Sequence, residues 1–101
     1  MTEGSIVTWH VYMIEASDGS LYTGIATDLT RRFDEHASGR GAKYFNAGRK
    51  PLWVVYSETV ENRSAAQVRE AAIKRLSRVE KLELVESKSG MMGQRLVGIL
   101  K

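Results

Sequence analysis

The apolar positions of the chain follow two periods, and the changes of period mark its elements. Residues 9–15, WHVYMIE, are aromatic, β-branched and apolar, which predicts a strand. Ser17-Asp18-Gly19-Ser20 is turn chemistry, and LYTGIA (21–26) reads as a second strand, so the pair forms a hairpin. Leu29, Phe33 and Ala37 then recur at i, i+4 and i+8, the apolar stripe of a helix capped by Thr27 or Asp28 and running to about Ser38. Gly39 is placed to end it. Residues 39–50 read as a loop. Pro51 introduces LWVVYSE, a third strand whose unbroken apolar run predicts burial on both faces. Ser64-Ala65-Ala66-Gln67 has the form of a capping box and starts a second helix, with Ala65, Val68, Ala72 and Leu76 toward the core. Ser77-Arg78-Val79-Glu80 repeats the box and predicts a third helix to about Ser87, buried through Val79, Leu82 and Val85.

The order β-β-α-β-α-α defines an α+β class: a small, three-stranded, mostly antiparallel sheet with flanking helices. Residues 9–88 form this domain, 1–8 an N-terminal extension, and 89–101 a C-terminal tail ending in an apolar LVGIL. The tail can pack on the core, dock a protein partner, pair with a second copy in a homodimer, or stay mobile. At 101 residues the chain can bury one core without staples. It has no cysteine, which excludes disulfides and thiolate metal sites. No apolar stretch approaches the ~18 residues of a membrane span, and the start lacks the basic-then-apolar pattern of a signal peptide. A cytoplasmic protein with no membrane association is expected.

Lys plus Arg number 15 and Asp plus Glu 12, a net charge of +3. The distribution says more than the total. Arg40, Lys43, Arg49 and Lys50 share one glycine-containing loop, and such clusters contact phosphates. Lys43, Tyr44, Arg49 and Lys50 are therefore candidate nucleic-acid contacts. Trp9, Trp53 and Tyr56 are expected to pack in the core.

Two registers are open for the hairpin. A two-residue Asp18-Gly19 turn sets Tyr12 opposite Ile25 and separates Tyr12 from Tyr22 onto opposite faces. A three-residue Ser17-Asp18-Gly19 loop sets Tyr12 opposite Gly24, puts both tyrosines on one face, and leaves a hollow at Gly24 beside the Tyr12 ring. Arg32 and His36, four apart, share a helix face at the edge of the apolar stripe. Glu70 lies off the predicted stripe of its helix and can pair with Lys74 at i+4.

These residues together resemble the GIY-YIG nuclease superfamily. His10-Val11-Tyr12 stands where that family has GIY, and Tyr22-Thr23-Gly24 where it has YIG. Arg32 lies ten residues beyond the second tyrosine, as the family's arginine does, and His36 follows four later at a histidine-or-tyrosine position. Glu70, in VREAAIKRL, matches the acidic metal ligand on the helix after the third strand. The run YTGIATDLTRRF is similar to the same region of the incision subunit of bacterial nucleotide-excision repair and of phage homing endonucleases. The resemblance covers residues 8–86. In length and in the loop from Gly39 to Tyr44 the chain is similar to the small single-domain bacterial members resembling YhbQ.

The resemblance implies a metal-dependent endonuclease, a hydrolase cutting phosphodiester bonds in DNA, with a role in DNA repair or recombination. It implies a single Mg²⁺ or Mn²⁺ on Glu70 and a phosphate-binding fork from Arg32. Tyr12 and Tyr22 would orient water and act as general base, and His36 would assist. It also favours the register that brings the tyrosines together. The chain departs from the pattern twice: the asparagine expected after the glutamate has no counterpart in SRVEKLEL, and Ile25 stands where the incision subunit has a lysine. A non-catalytic nucleic-acid-binding module, or an interaction subunit of a repair complex, is the alternative.

Overall fold

The computed structural model describes residues 7–46 and 48–92, apart from the side chains of 89–92. The order is β1 (Trp9–Ala16), β2 (Leu21–Ala26), α1 (Leu29–Ala37), a single 3₁₀ turn (Lys43–Phe45), β3 (Pro51–Val60), α2 (Arg63–Lys74) and α3 (Arg78–Met92). The three strands form one antiparallel sheet in the order β2-β1-β3. The α+β class and the β-β-α-β-α-α order match those expected from the sequence. The LVGIL segment of the tail and the first six residues lie outside the described residues.

β1 is the central strand, so two-sided burial falls on it. Val11, Tyr12, Met13 and Ile14 are all essentially inaccessible. Alternation then splits them between two layers. Val11 and Met13 face α2 and α3, where they pack with Tyr56, Ala66, Ile73 and Val85. Tyr12 and Ile14 face α1 and the 3₁₀ turn, where they pack with Ala16, Ala26 and Phe45. The hairpin takes the three-residue loop: Ala16 N–H donates to Ser20 O, and Gly19 adopts φ +86°. Tyr12 is paired with Gly24 and Ile14 with Tyr22, so both tyrosines lie on the α1 side.

β3 departs from the sequence expectation. It is an edge strand and is not buried on both faces; Leu52, Trp53 and Val54 are 36–41% exposed. Trp53 is therefore not a core residue, and its indole N–H donates to Glu15. Register shifts between Met13 and Ile14 and between Glu15 and Ala16 break the alternation of β3. They let the neighbours Val55 and Tyr56 both pack on the α2–α3 layer.

The helices keep part of the expected stripes, with Leu29, Phe33 and Leu76 packed on the core, but their most buried positions differ from those expected. α1 is capped by Asp28, which accepts Arg31 N–H, but its buried residue is His36, and Ala37 is exposed. In α2 the cap is Asn62, which accepts Ala65 N–H at 2.8 Å, so the helix begins earlier than the Ser64 box predicts. Its inward stripe is Ala66, Glu70 and Ile73, at i, i+4 and i+7, with Ala66 and Ile73 fully buried. Val68 is 69% exposed, and Glu70 lies on the inward stripe instead of off it. The Ser77–Glu80 box forms as expected, each residue's amide donating to the other's side chain. α3 then buries Val85 while Val79 and Leu82 are exposed.

The cap assignment is testable by urea unfolding. Asn62→Ala should cost about 1 kcal/mol, the usual loss for an N-cap, while Ser64→Ala should change stability little. A larger effect at Ser64 would refute the assignment.

Candidate active site

The site is built on the α1 side of the hairpin. Gly24 makes it possible: a Cβ there would lie 2.6 Å from Tyr12 Oη, 2.8 Å from its Cζ and 3.0 Å from Tyr22 Cε2. The Tyr12 ring thus lies over the β2 backbone, and its hydroxyl reaches His36 Nε2 at 2.9 Å in a buried hydrogen bond. The other imidazole nitrogen, Nδ1, accepts the backbone N–H of Ala42 at 3.1 Å. Gly41 permits that approach, since a Cβ there would come within 2.8 Å of His36 Cα.

These two bonds fix the tautomer. An amide can only donate, so Nδ1 carries no proton. A neutral ring then has its proton on Nε2 and donates it to Tyr12 Oη. Burial, and next the positive charge of Arg32, lower the His36 pKa to about 4, so the neutral form holds at physiological pH. Burial likewise pushes the Tyr12 hydroxyl well above its ordinary value, with Tyr22 adding to the effect and Arg32 opposing it. Tyr22 is raised as well, again chiefly by burial.

The aromatic rings form one cluster. Tyr22 packs edge-on against His36, with centroids 5.2 Å apart, and lies 5.1 Å from both Tyr44 and Phe45. His36 and Phe45 are 4.9 Å apart. Each such pair contributes about 0.5–1.5 kcal/mol beyond area burial, so the cluster holds the two phenols firmly.

Two charged groups complete the site. Arg32 donates to Glu35 Oε1 at 2.8 Å, one turn along α1. Glu70 arrives from the other side of the sheet, on α2, which leans on β2. Its negative charge is felt at both Tyr12 and Tyr22. Its Oε2 pairs with Lys74 Nζ at 3.1 Å. Among the described residues no three His, Cys, Asp or Glu side chains are grouped to hold a metal. A lone carboxylate leaves the remaining positions to water and phosphate oxygens. That donor set fits a magnesium-type ion, not the closed nitrogen–sulfur cage of zinc.

Of the five residues singled out from the sequence, Tyr12, Tyr22, Arg32 and His36 share one cluster on the α1 side, and Glu70 stands across the sheet within electrostatic reach of the tyrosines. The four loop candidates divide. Lys43 and Lys50 are exposed. Arg49 is held in an intramolecular latch: it bonds Asp18 at 2.9 Å and lies over the Tyr44 ring at 4.2 Å. Tyr44 in turn donates to Ser20 Oγ. Ser20, followed by Arg49, holds the Asp18 carboxyl down to about 2. Sequence reasoning missed Gly41, Ala42 and Phe45. Gly41, five residues past the buried histidine, was the one signal available for the loop contact.

Fold and site define a GIY-YIG catalytic domain, and the sequence profile of that domain matches residues 8–83. The chain belongs to the GIY-YIG family, a nuclease superfamily whose nucleases generally use a divalent metal ion. Its relatives are small proteins of the UPF0213 group. The one from Desulfotalea psychrophila is 48% identical over 80 residues, covering 78% of this chain and 72% of the relative. The one from Halobacterium salinarum is 50% identical over 72 residues, covering 71% and 92%. The solution NMR structure of the UPF0213 protein of Bacillus halodurans is similar at 43% identity with a TM-score of 0.54, covering 82% of this chain and 87% of that one. Among the described residues no helix is long and apolar enough to cross a membrane.

The neutral imidazole has a stability signature. The folded His36 pKa of about 4 lies below its ordinary 6.5, so between these values the unfolded chain binds more protons. The contribution is complete above about pH 6.5 and falls away toward pH 4, by on the order of 3 kcal/mol. Urea unfolding at pH 7 and pH 4.5 should show wild type losing more stability on acidification than His36→Gln. Equal losses would refute the buried neutral ring.

Proposed function

We propose that the chain is a metal-dependent endonuclease that hydrolyses phosphodiester bonds in DNA. The observation that carries this reading is the Tyr12 oxygen, set between the Nε2–H of His36 and the charge of Arg32, with Tyr22 beside it and the Glu70 carboxylate within electrostatic reach. Arg32 presents a planar fork for phosphate oxygens, braced by Glu35. Glu70 would hold Mg²⁺ or Mn²⁺, which when bound supplies charge neutralisation at the phosphate and at the leaving oxygen. The phenols orient the attacking water and accept its proton. Both phenols are protonated near neutrality and burial raises them further, so base work needs the phenolate, which the positive charge of Arg32 favours. His36 keeps the Tyr12 oxygen in place and stabilises negative charge on it by donating from Nε2. Lys43 and Lys50 would meet the strand outside the centre, with Tyr44 and Arg49 supporting the loop that carries them. A repair or recombination role in the cytoplasm is the setting this chemistry suits.

A second reading, a nucleic-acid-binding module without catalysis, is favoured by one observation: Lys74 already occupies Glu70. It predicts salt-sensitive DNA binding with no cleavage. A third, interaction through the tail, concerns a segment that lies largely outside the described residues.

Purified protein should nick or degrade DNA with Mg²⁺ or Mn²⁺ and stop when the metal is chelated. Arg32→Ala and Glu70→Gln should each lower the rate by about 10²–10³, the usual loss for one electrostatic stabiliser, with the fold intact by circular dichroism. Failure to cut single-stranded, duplex, branched or damaged DNA at low salt with either metal would remove the proposal.

A further inference from the structure

Arg32 has a second exposure. It also lines a pocket of about 290 Å³ at the N-terminal end of β1, walled by Trp9, Ile25, Arg31 and Arg63. Three guanidiniums and one indole meet there, drawn from β1, α1 and α2. The pocket also contains two carboxylates, and both are engaged. Asp28 caps α1 through Arg31 N–H. Glu35 is bonded to Arg32 at 2.8 Å and faces Arg31 at 3.8 Å. Arg63 has no acidic partner among the described residues; its guanidinium lies over the Trp9 ring, 5.7 Å from the centroid. The pocket therefore carries unneutralised positive charge beside an aromatic wall, contiguous with the phosphate fork of the candidate centre.

That pairing matches one ligand chemistry. A guanidinium without a carboxylate partner takes a phosphate, and an indole face takes a base or sugar of any sequence by stacking. A membrane or protein ligand would not call for both features one step from Arg32. We infer that this pocket is a nucleotide subsite: it holds the nucleotide next to the cleaved linkage, its phosphate on Arg63 with help from Arg31, and its base against Trp9. The inference rests on the nuclease reading for the position of the cut, and on the pocket alone for the binding. It makes Arg63 and Trp9 substrate-positioning residues for a flanking nucleotide, and it gives the chain a second grip on the strand beside the basic loop, whose Arg49 is already held by Asp18.

The test uses the full chain in chelator, so that binding is read without cleavage, and a fluorescein-labelled DNA strand, alone and as a duplex. Arg63→Gln should weaken binding by about tenfold near 0.1 M salt and make the salt dependence shallower by about one phosphate contact. Arg63→Lys should keep the slope, and Arg78→Gln, an exposed arginine outside the pocket, should keep both. In a Trp53→Phe background, where Trp9 is the remaining tryptophan, emission should change on adding the strand. Wild-type affinity and slope in Arg63→Gln, an equal loss in Arg78→Gln, or unaltered Trp9 emission in a chain that binds the strand each overturns the subsite. A chain that binds through Arg63 but never cleaves keeps the subsite and removes the nuclease reading. A chain that binds no DNA removes both.

Discussion

The hydrogen bond from His36 to Tyr12 is the contact on which the rest of the site depends. It joins α1 to the central strand, and through Ala42 it ties in the loop that follows the helix. The amide of Ala42 forces Nδ1 to accept, which forces Nε2 to donate, which orients the Tyr12 oxygen. Two glycines stand at the two ends of this chain of contacts. Gly41 lets the loop reach the imidazole, and Gly24 lets the phenol lie on β2. A charged imidazole would turn a proton toward the Ala42 amide, so the arrangement itself selects the neutral ring.

Around this rigid centre the charges are held loosely. Arg32 is paired with Glu35 three residues on, and Glu70 with Lys74 four residues on. Both are local pairs within one helix, each with a partly exposed cation, so they are exchangeable in a way the buried phenols are not. On the proposed reading, a phosphate at Arg32 or a divalent cation at Glu70 would take the place of these partners. The phenols, by contrast, are buried and fixed, and burial disfavours their ionised form further. Fixed neutral groups and exchangeable charged ones are what a site needs if it is to respond to substrate and metal together.

Much of this was legible in the sequence, for identifiable reasons. The hairpin, the Asp28 cap, the Ser77–Glu80 box and the element order follow from local chemistry. The choice between two hairpin registers did not: Asp18-Gly19 suits both loops, and only the cross-strand pairing of Tyr12 with Gly24 decides. Where local signals competed, the wrong one was chosen. Asn62 and Ser64 can both cap α2, and the earlier cap shifts the buried stripe from Val68 to Ala66 and Ile73, which carries Glu70 inward. In α1 a hydropathy stripe assigned Ala37 to the core, but tertiary hydrogen bonds bury His36 instead. The apolar run of β3 said nothing of its place in the sheet, since edge and centre are set by strand order and not by composition.

The central claim is that the site is prearranged around a neutral imidazole donating from Nε2 to Tyr12. Nitrogen-15 NMR of the His36 ring tests it most directly. The account predicts an unprotonated, acceptor-type Nδ1 and a protonated Nε2 at pH 7, unchanged down to about pH 5. A ring protonated on both nitrogens at pH 6, or one carrying its proton on Nδ1, would contradict it.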